Sequence, residues 1–223
     1  GMWQGSKFEK MQLPKDWGIV QHIVTVDAST FQVYMNNMKS LFVEMVRNAD
    51  MVLFNRCSMD MPLASFRRSV KVVNQGAEII FEDEEGEIED IFAEEMPFDV
   101  NADVIEIMDE DYGIWFIDAM DHPETYKGKK VSFTGMVLKS REFPKNVFVP
   151  GRMAMTCCAD DTSFIGYICK SPEAKSLRTG KWVKVVAEVD YEYVSSYHKE
   201  GPVLTAISLE PVEPLKQELV YFN

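Results

Sequence analysis

Ile19-Val20-Gln21-His22-Ile23-Val24-Thr25-Val26-Asp27-Ala28-Ser29 is the stretch on which the fold class of the first half turns. Its β-branched run suits a strand buried in a parallel sheet. Asp27 and Ser29 follow at once, and both cap helices well. Phe31, Met35, Met38, Phe42, Met45 and Val46 then recur at helical spacing. Asn48-Ala49-Asp50 closes that helix, and Met51-Val52-Leu53-Phe54 is a second apolar strand ending at Asn55. Asp60 and Pro62 read as a cap and a first-turn proline for a helix carrying Leu63, Phe66, Val70 and Val73. Asn74-Gln75-Gly76 is a stop, and Ala77 to Phe81 is a third strand. Strand, helix, strand, helix, strand with short turns predicts right-handed crossovers and a parallel sheet. In such sheets ligands sit beyond the carboxyl ends of the strands, where Asp27 and Asn55 fall.

The second half has a different rhythm. Asp111 to Asp121 is a short amphipathic helix stopped at His122-Pro123. Lys130 to Leu138 alternates as a strand, with Gly135 marking a bulge or bend. Asn146 to Val149, Arg152 to Cys158, Phe164 to Cys169, Trp182 to Tyr193 and Val203 to Leu209 are further extended pieces, with one helical turn at Glu173–Leu177. Short strands at regular spacing with one intervening helical turn predict an OB-like β-barrel.

The 223 residues carry 36 acids and 23 bases, a net charge of −13, and 46% are hydrophobic. That excludes collagen-like, low-complexity and disordered classes. The charge is uneven. Residues 1–125 hold 25 acids and 9 bases, and residues 126–223 hold 11 acids and 14 bases, so the two parts sum to −16 and +3. The shift predicts two units, an α/β unit over residues 1–108 and a β-barrel unit over 109–223. Glu82-Asp83-Glu84-Glu85, with Glu87, Glu89 and Asp90, reads as a solvated hairpin tip or as a docking surface for a basic partner or hard cation. No apolar run reaches the roughly 20 residues of a membrane span, and no signal-peptide pattern opens the chain. Four cysteines without a Cys-x-x-Cys pair do not make a disulfide scaffold, so a reduced, cytoplasmic setting is expected. Three scattered histidines offer no catalytic spacing; His22 reads as a packed or hydrogen-bonded residue and His122 as a helix-end residue.

Three ordered stretches carry a resemblance: Val26-Asp27-Ala28-Ser29-Thr30-Phe31, Ala49-Asp50-Met51-Val52-Leu53-Phe54-Asn55-Arg56, and Val73-Asn74-Gln75-Gly76-Ala77-Glu78-Ile79-Ile80. Over residues 17–107 the chain resembles the second half of a CobW-like GTPase domain, a truncated P-loop fold. The resemblance implies GTP as ligand in the intact protein and a link to metal homeostasis or transport. It places the guanine-reading strand end, Asn-Lys-x-Asp in the family, at Asn55, Arg56 and Ser58. Arg56 stands for the lysine and Ser58 for the aspartate, and a serine supplies no bidentate acceptor for the guanine edge. No Gly-x-x-x-x-Gly-Lys-Ser/Thr occurs in the sequence. Without amides and a lysine around the phosphates the chain alone is not expected to hydrolyse GTP, and it reads as part of a longer protein.

Gly128-Lys129-Lys130-Val131, Gly135-Met136-Val137, the run Arg152-Met153-Ala154-Met155-Thr156-Cys157-Cys158-Ala159-Asp160-Asp161, and Gly180-Lys181-Trp182-Val183 resemble an uncharacterised bacterial domain found in proteins described as permease subunits. Its mark is Arg-x-x-x-x-Cys-Cys-x-x-Asp. Cys157 or Cys158 with Cys169, Asp160 or His198 is the candidate zinc set, since zinc takes thiolate, imidazole and carboxylate ligands. Adjacent residues diverge in strand and helix alike, so both thiols on one ion is awkward, and burial in the barrel wall is the other reading. The alternative function is a non-catalytic interaction or ligand-binding module. Expected partners are a permease or metal-dependent protein, or a second copy pairing along an open sheet edge. Single-stranded nucleic acid is disfavoured by the charge balance, although Lys139, Arg141, Lys145 and Arg152 lie near Phe143, Phe148 and Tyr167.

Overall fold

The computed structural model describes residues 13–88, 96–155, 162–195, 197 and 199–220. Its residues fall into two compact units, with residues 13–88 in the first and residues 96–155 and 162–220 in the second.

In the first unit β1 (Ile23–Asp27), α1 (Ala28–Val46), β2 (Met51–Asn55), α2 (Leu63–Lys71) and β3 (Glu78–Phe81) alternate along the chain. The three strands form one parallel sheet in the order β1-β2-β3. Ile23 stands opposite Met51 and Asp27 opposite Asn55, while Phe54 stands opposite Phe81. Alternation sets the faces. Val24, Val26, Val52, Phe54 and Phe81 are buried, whereas Ile23 and Thr25 are exposed. The core is aromatic: Phe31 meets Phe42, Phe54 and Phe66 edge-on at 5.0, 5.2 and 4.6 Å, and Phe54 stacks on Phe81 at 4.8 Å. Such pairs add roughly 0.5–1.5 kcal/mol each beyond the area they bury.

Two local expectations change. α1 is broken at Met38, whose φ and ψ of −139° and 35° are not helical. Asn36 and Asn37 precede the break, and Asn37 turns its amide back onto the Val33 carbonyl at 2.8 Å. Side chains that bond the backbone locally weaken a helix interior. At α2, Pro62 takes the N-cap position rather than the first turn, with no side-chain cap. Asp60 is held by the Ser58 hydroxyl instead of capping the helix. Asn74 ties this unit together: its amide donates to the Val46 and Ala49 carbonyls at 2.9 and 2.8 Å, and its oxygen accepts from the Gly76 amide.

The second unit is a small closed barrel. Its elements are β4 (Ile105–Glu106), α3 (Tyr112–Asp121), α4 (Pro123–Tyr126), β5 (Lys130–Leu138), β6 (Val147–Met155), β7 (Thr162–Gly166), β8 (Ile168–Lys170), a 3-10 turn (Pro172–Lys175), β9 (Trp182–Val194), β10 (Lys199–Val212) and β11 (Leu219–Val220). β5, β9, β10, β8 and β6 pair in turn, and β6 pairs again with β5, which closes five strands. β4 extends β5, and β7 and β11 pair with β6. Gly135 lies in a continuous register and marks a close backbone approach: a Cβ there would meet the Gly151 nitrogen at 3.0 Å. At Gly151 the crowding is harder, since a Cβ would fall 2.2 Å from the Ile165 carbonyl oxygen. The extra residue of the barrel sits elsewhere, between Ala206 and Ser208 on β10. α3 packs through Trp115 on Phe133, with centroids 4.9 Å apart, and through Phe116 on Tyr167 at 4.8 Å. No helix among the described residues is long and apolar enough to cross a membrane.

Candidate functional site

Polar side chains gather at the carboxyl end of the parallel sheet. β1 ends in Asp27 and β2 in Asn55, side by side in register. Asp27 is the N-cap of α1, and one carboxylate oxygen accepts from the Ser29 amide at 3.0 Å and the Ser29 hydroxyl at 2.6 Å. The other oxygen accepts from the Arg56 guanidinium at 2.6 Å. The Ser29 hydroxyl is the main cause that holds this carboxyl below its ordinary value of 3.8; desolvation opposes it, and the Ser29 amide and Arg56 add to it. The amino end of α1 therefore already holds an anion. A phosphate placed there would meet a carboxylate rather than free amides.

Arg56 follows Asn55 with φ at 56°, the left-handed region that a residue with a Cβ enters at a cost. That conformation turns the chain off β2 and sends the guanidinium back to Asp27. Cys57 anchors the same corner. It is buried, its amide donates to the Glu82 carbonyl at 2.9 Å, and desolvation pushes its thiol pKa up. The Glu82 amide in turn donates to the Phe54 carbonyl at 2.8 Å, so the ends of β2 and β3 are laced together. Asn55 Oδ1 is enclosed and has no hydrogen-bond partner. An unmet buried acceptor costs about 1–3 kcal/mol. Trp115 Nε1 and Ser132 Oγ in the second unit, and Arg68 Nε in the first, likewise have no hydrogen bond of their own, although Arg68 is engaged through its other atoms.

Ser58, the third residue of the expected base-reading set, is half-buried and donates its hydroxyl to Asp60. The structure thus places Asn55, Arg56 and Ser58 on one loop at one strand end and adds Asp27 and Asp60 to them. Asp27 pairs with Arg56 only because β1 and β2 are parallel and in register, which no spacing along the chain announces.

In the barrel the conspicuous residues are engaged in holding the fold. Arg152 is 1% exposed. Its guanidinium donates to Asp109 Oδ1 at 2.7 Å, to the Asp109 carbonyl at 3.0 Å and to the Thr134 carbonyl at 2.8 and 3.0 Å, and it lies 4.9 Å from the Tyr112 ring centre. Lys139 donates to the Ala174 and Leu177 carbonyls at 2.6 and 3.3 Å. Phe148 and Tyr167 are buried, and the Tyr167 hydroxyl donates to the Phe116 carbonyl, so neither ring is presented for stacking. Cys169 is buried, and desolvation pushes its thiol pKa up to about 12. Cys157, Cys158, Asp160 and His198 lie outside the described residues. Among the described residues no group of three or more His, Cys, Asp or Glu side chains converges on a possible metal position.

A network that the sequence reading left unconnected lies at the end of α3. Asp118 accepts from Tyr126 at 2.6 Å and stands 2.6 Å from His122 Nδ1. The four-residue step from Asp118 to His122 was the available signal. His22, beside the start of β1, is hydrogen-bonded as expected: its amide donates to Asp50 at 2.7 Å and its Nδ1 lies 3.1 Å from the Asn48 carbonyl.

A family model described as the DUF1980 C-terminal domain matches residues 84–222. No curated protein matches the chain. Among solved structures, crystal forms of the mitochondrial single-stranded DNA binding protein Rim1 from S. cerevisiae are similar to part of it. One is 14% identical over 38% of this chain and 93% of its own, with a TM-score of 0.26. Another is 11% identical over 39% and 98%, with a TM-score of 0.25. A likeness of that size supports no argument about ligands.

Proposed function

This chain belongs to the DUF1980 C-terminal domain family through residues 84–222; for the first unit, nearly all of which precedes that match, we propose, by resemblance, the base-facing half of a CobW-like GTP-binding domain. The observation that carries the reading is the unmet Asn55 Oδ1 at the end of the central strand of a parallel sheet, beside Arg56. A nucleotide base laid against this edge supplies the missing donor from an exocyclic amine or ring N–H. The unit holds the base end of the pocket and not the phosphate end. The sequence has no Gly-x-x-x-x-Gly-Lys-Ser/Thr, and Asp27 fills the amino end of α1. The chain by itself therefore binds guanine nucleotide weakly and does not turn it over. By resemblance, the role served is metal homeostasis or transport in the cytoplasm, with GTP taken up by the intact protein. The zinc set of Cys157, Cys158, Cys169 and Asp160 belongs to the same reading, with only Cys169 among the described residues.

The competing reading is an interaction module without nucleotide. It is favoured by the acidic turn at Asp83–Gly86, where Glu82 and Glu87 form an isolated antiparallel bridge and Glu84, Glu85 and Glu87 are exposed. Fluorescent GDP added to the full chain separates the two. Our reading expects anisotropy to rise at high micromolar to millimolar concentration, to fall back in Asn55→Ala, and GTP turnover to stay at background. No base-dependent binding favours the interaction module. Turnover well above background that Asn55→Ala abolishes would show a complete site and overturn the reading of a half-pocket.

A further inference from the structure

We infer that two basic loops of the barrel, residues 139–146 and 171–181, dock the acidic turn at Asp83–Gly86 of a second copy of this chain. The inference is independent of the nucleotide reading. The loops carry six bases, Lys139, Arg141, Lys145, Lys175, Arg178 and Lys181, against Glu142 and Glu173, a net of +4 that leaves −17 for the rest of the chain. Hydrogen bonds hold the two loops together. The Ser171 amide donates to the Asn146 carbonyl at 2.8 Å, the Lys139 amide to Thr179 Oγ1 at 3.0 Å, and the Gly180 amide to the Val137 carbonyl at 2.9 Å. Lys139 turns its ammonium onto the Ala174 and Leu177 carbonyls between them. Three other bases of the barrel meet carboxylates: Arg152 pairs with Asp109 at 2.7 Å, Lys170 with Glu192 at 2.6 Å and Lys184 with Glu106 at 3.7 Å. Arg141, Lys145, Lys175, Arg178 and Lys181 are exposed, and among the described residues no ion pair reaches them. Like charges crowded on adjoining loops raise the local potential, and an anion from outside relieves it.

The chain carries the complementary element itself. Glu82 bridges to Glu87, the Asp83 amide donates to the Gly86 carbonyl at 2.9 Å, and Asp83 Oδ1 accepts from the Glu85 and Gly86 amides at 2.7 and 3.1 Å. These bonds fix the backbone of the turn and leave Glu84, Glu85 and Glu87 exposed, with no ion pair among the described residues. No Lys or Arg occurs from Val72 to Tyr126 to neutralise them. Unpaired cations on a braced platform and unpaired carboxylates on a braced turn are complementary in charge. Other polyanions suit the loops less well. Phe148 and Tyr167 are buried, so they offer no ring on which a nucleic-acid base could stack. Charges farther apart than about 10 Å are largely screened at 0.1 M salt. A compact turn therefore meets the loops alone, whereas an extended strand or an anionic bilayer also lies across the acidic remainder of the chain.

The test is sedimentation equilibrium of the full chain at low and high salt, with two charge-reversed variants: Arg141→Glu with Arg178→Glu in the loops, and Glu84→Lys with Glu85→Lys in the turn. The unaltered chain is expected to self-associate at about 0.01 M ionic strength, where exposed charges act over about 30 Å, and to be monomeric at about 1 M, where they act over about 3 Å. Each variant alone is expected to be monomeric at low salt. An equimolar mixture of the two is expected to associate again, because each then supplies the charge that the other lacks. All four side chains are exposed, and association regained on mixing cannot come from a damaged protein. A chain that stays monomeric at low salt, association that resists high salt or persists in either variant alone, or a mixture that stays monomeric would overturn the proposal. Phosphatidylserine vesicles or oligothymidylate bound through Arg141 and Arg178 by a chain that remains monomeric would give the loops a different partner and overturn it equally.

Discussion

The two units treat their polar side chains in opposite ways. In the barrel, Arg152 makes its contacts inward, to Asp109, to the Thr134 carbonyl and to the Tyr112 ring. Lys139 and the Tyr167 hydroxyl likewise close onto backbone carbonyls. At the strand ends of the α/β unit, Asn55 keeps an acceptor unmet. A buried charge satisfied on every side builds a fold, whereas a half-buried strand end with acceptors left over builds a site.

The contrast breaks most readily at Gly151. Replacing it with alanine forces a Cβ to within 2.2 Å of the Ile165 carbonyl oxygen. We expect ~4 kcal/mol or more of destabilisation, or no folded barrel, in thermal or urea unfolding. Gly76→Ala in the first unit meets only Asn74 Oδ1 at 3.5 Å and is expected to stay within about 1 kcal/mol of the parent.

Arg152→Met removes donors from three carbonyl and carboxylate groups, and we expect the barrel to lose about 3–5 kcal/mol. An urea midpoint unchanged in this variant would mean that the buried guanidinium does not hold the fold and is available for function. GDP binding, placed in the other unit, should survive wherever the barrel remains folded.

Asp27→Ala removes the α1 cap and the Arg56 pair, and about 0.5–2 kcal/mol is expected from the first unit alone. The pH dependence has a definite sign. The folded carboxyl titrates below its ordinary 3.8, so its contribution is complete above that value and is lost as pH falls through the folded pKa. Acid unfolding of Asp27→Asn, which can still cap, should therefore begin less steeply below pH 4 than in the parent. Identical acid limbs would remove the carboxylate from the account.

The smallest effect concerns Cys169. With its thiol pushed up to about 12, alkylation at pH 8 should leave the Cys169 peptide unmodified until the barrel unfolds. Rapid labelling of folded protein, read by peptide mass, would contradict its burial.

The sequence made the elements of both units legible where burial imposes a period. The β-branched run before Asp27 and the alternation from Lys130 to Leu138 appear as strands because each has a face to bury. The helix stripe from Phe31 to Val46 was legible as well, but not its break at Met38, because two asparagines outweigh a stripe only locally. Gly135 announced something special without saying what, since a bulge and a close approach both call for glycine. At the site, Asn55 and Arg56 were legible as a strand end. Arg56's partner was not, because Asp27 reaches it through sheet register and a left-handed turn. Asp60 looked like a helix cap, but Pro62 takes that position without a side-chain cap. Arg152 stood out as the first residue of the Arg-x-x-x-x-Cys-Cys-x-x-Asp mark, and only its burial against Asp109 and Thr134 shows it holding the fold.

Amide chemical-shift mapping of the isotope-labelled chain with GDP and with ADP tests the central claim, that the site lies at the ends of β1 and β2, most directly. We predict that GDP moves the amides from Asn55 to Asp60, that ADP does so far less, and that β5 to β10 stay still. Shifts confined to the barrel, or equal responses to the two nucleotides, would contradict the account.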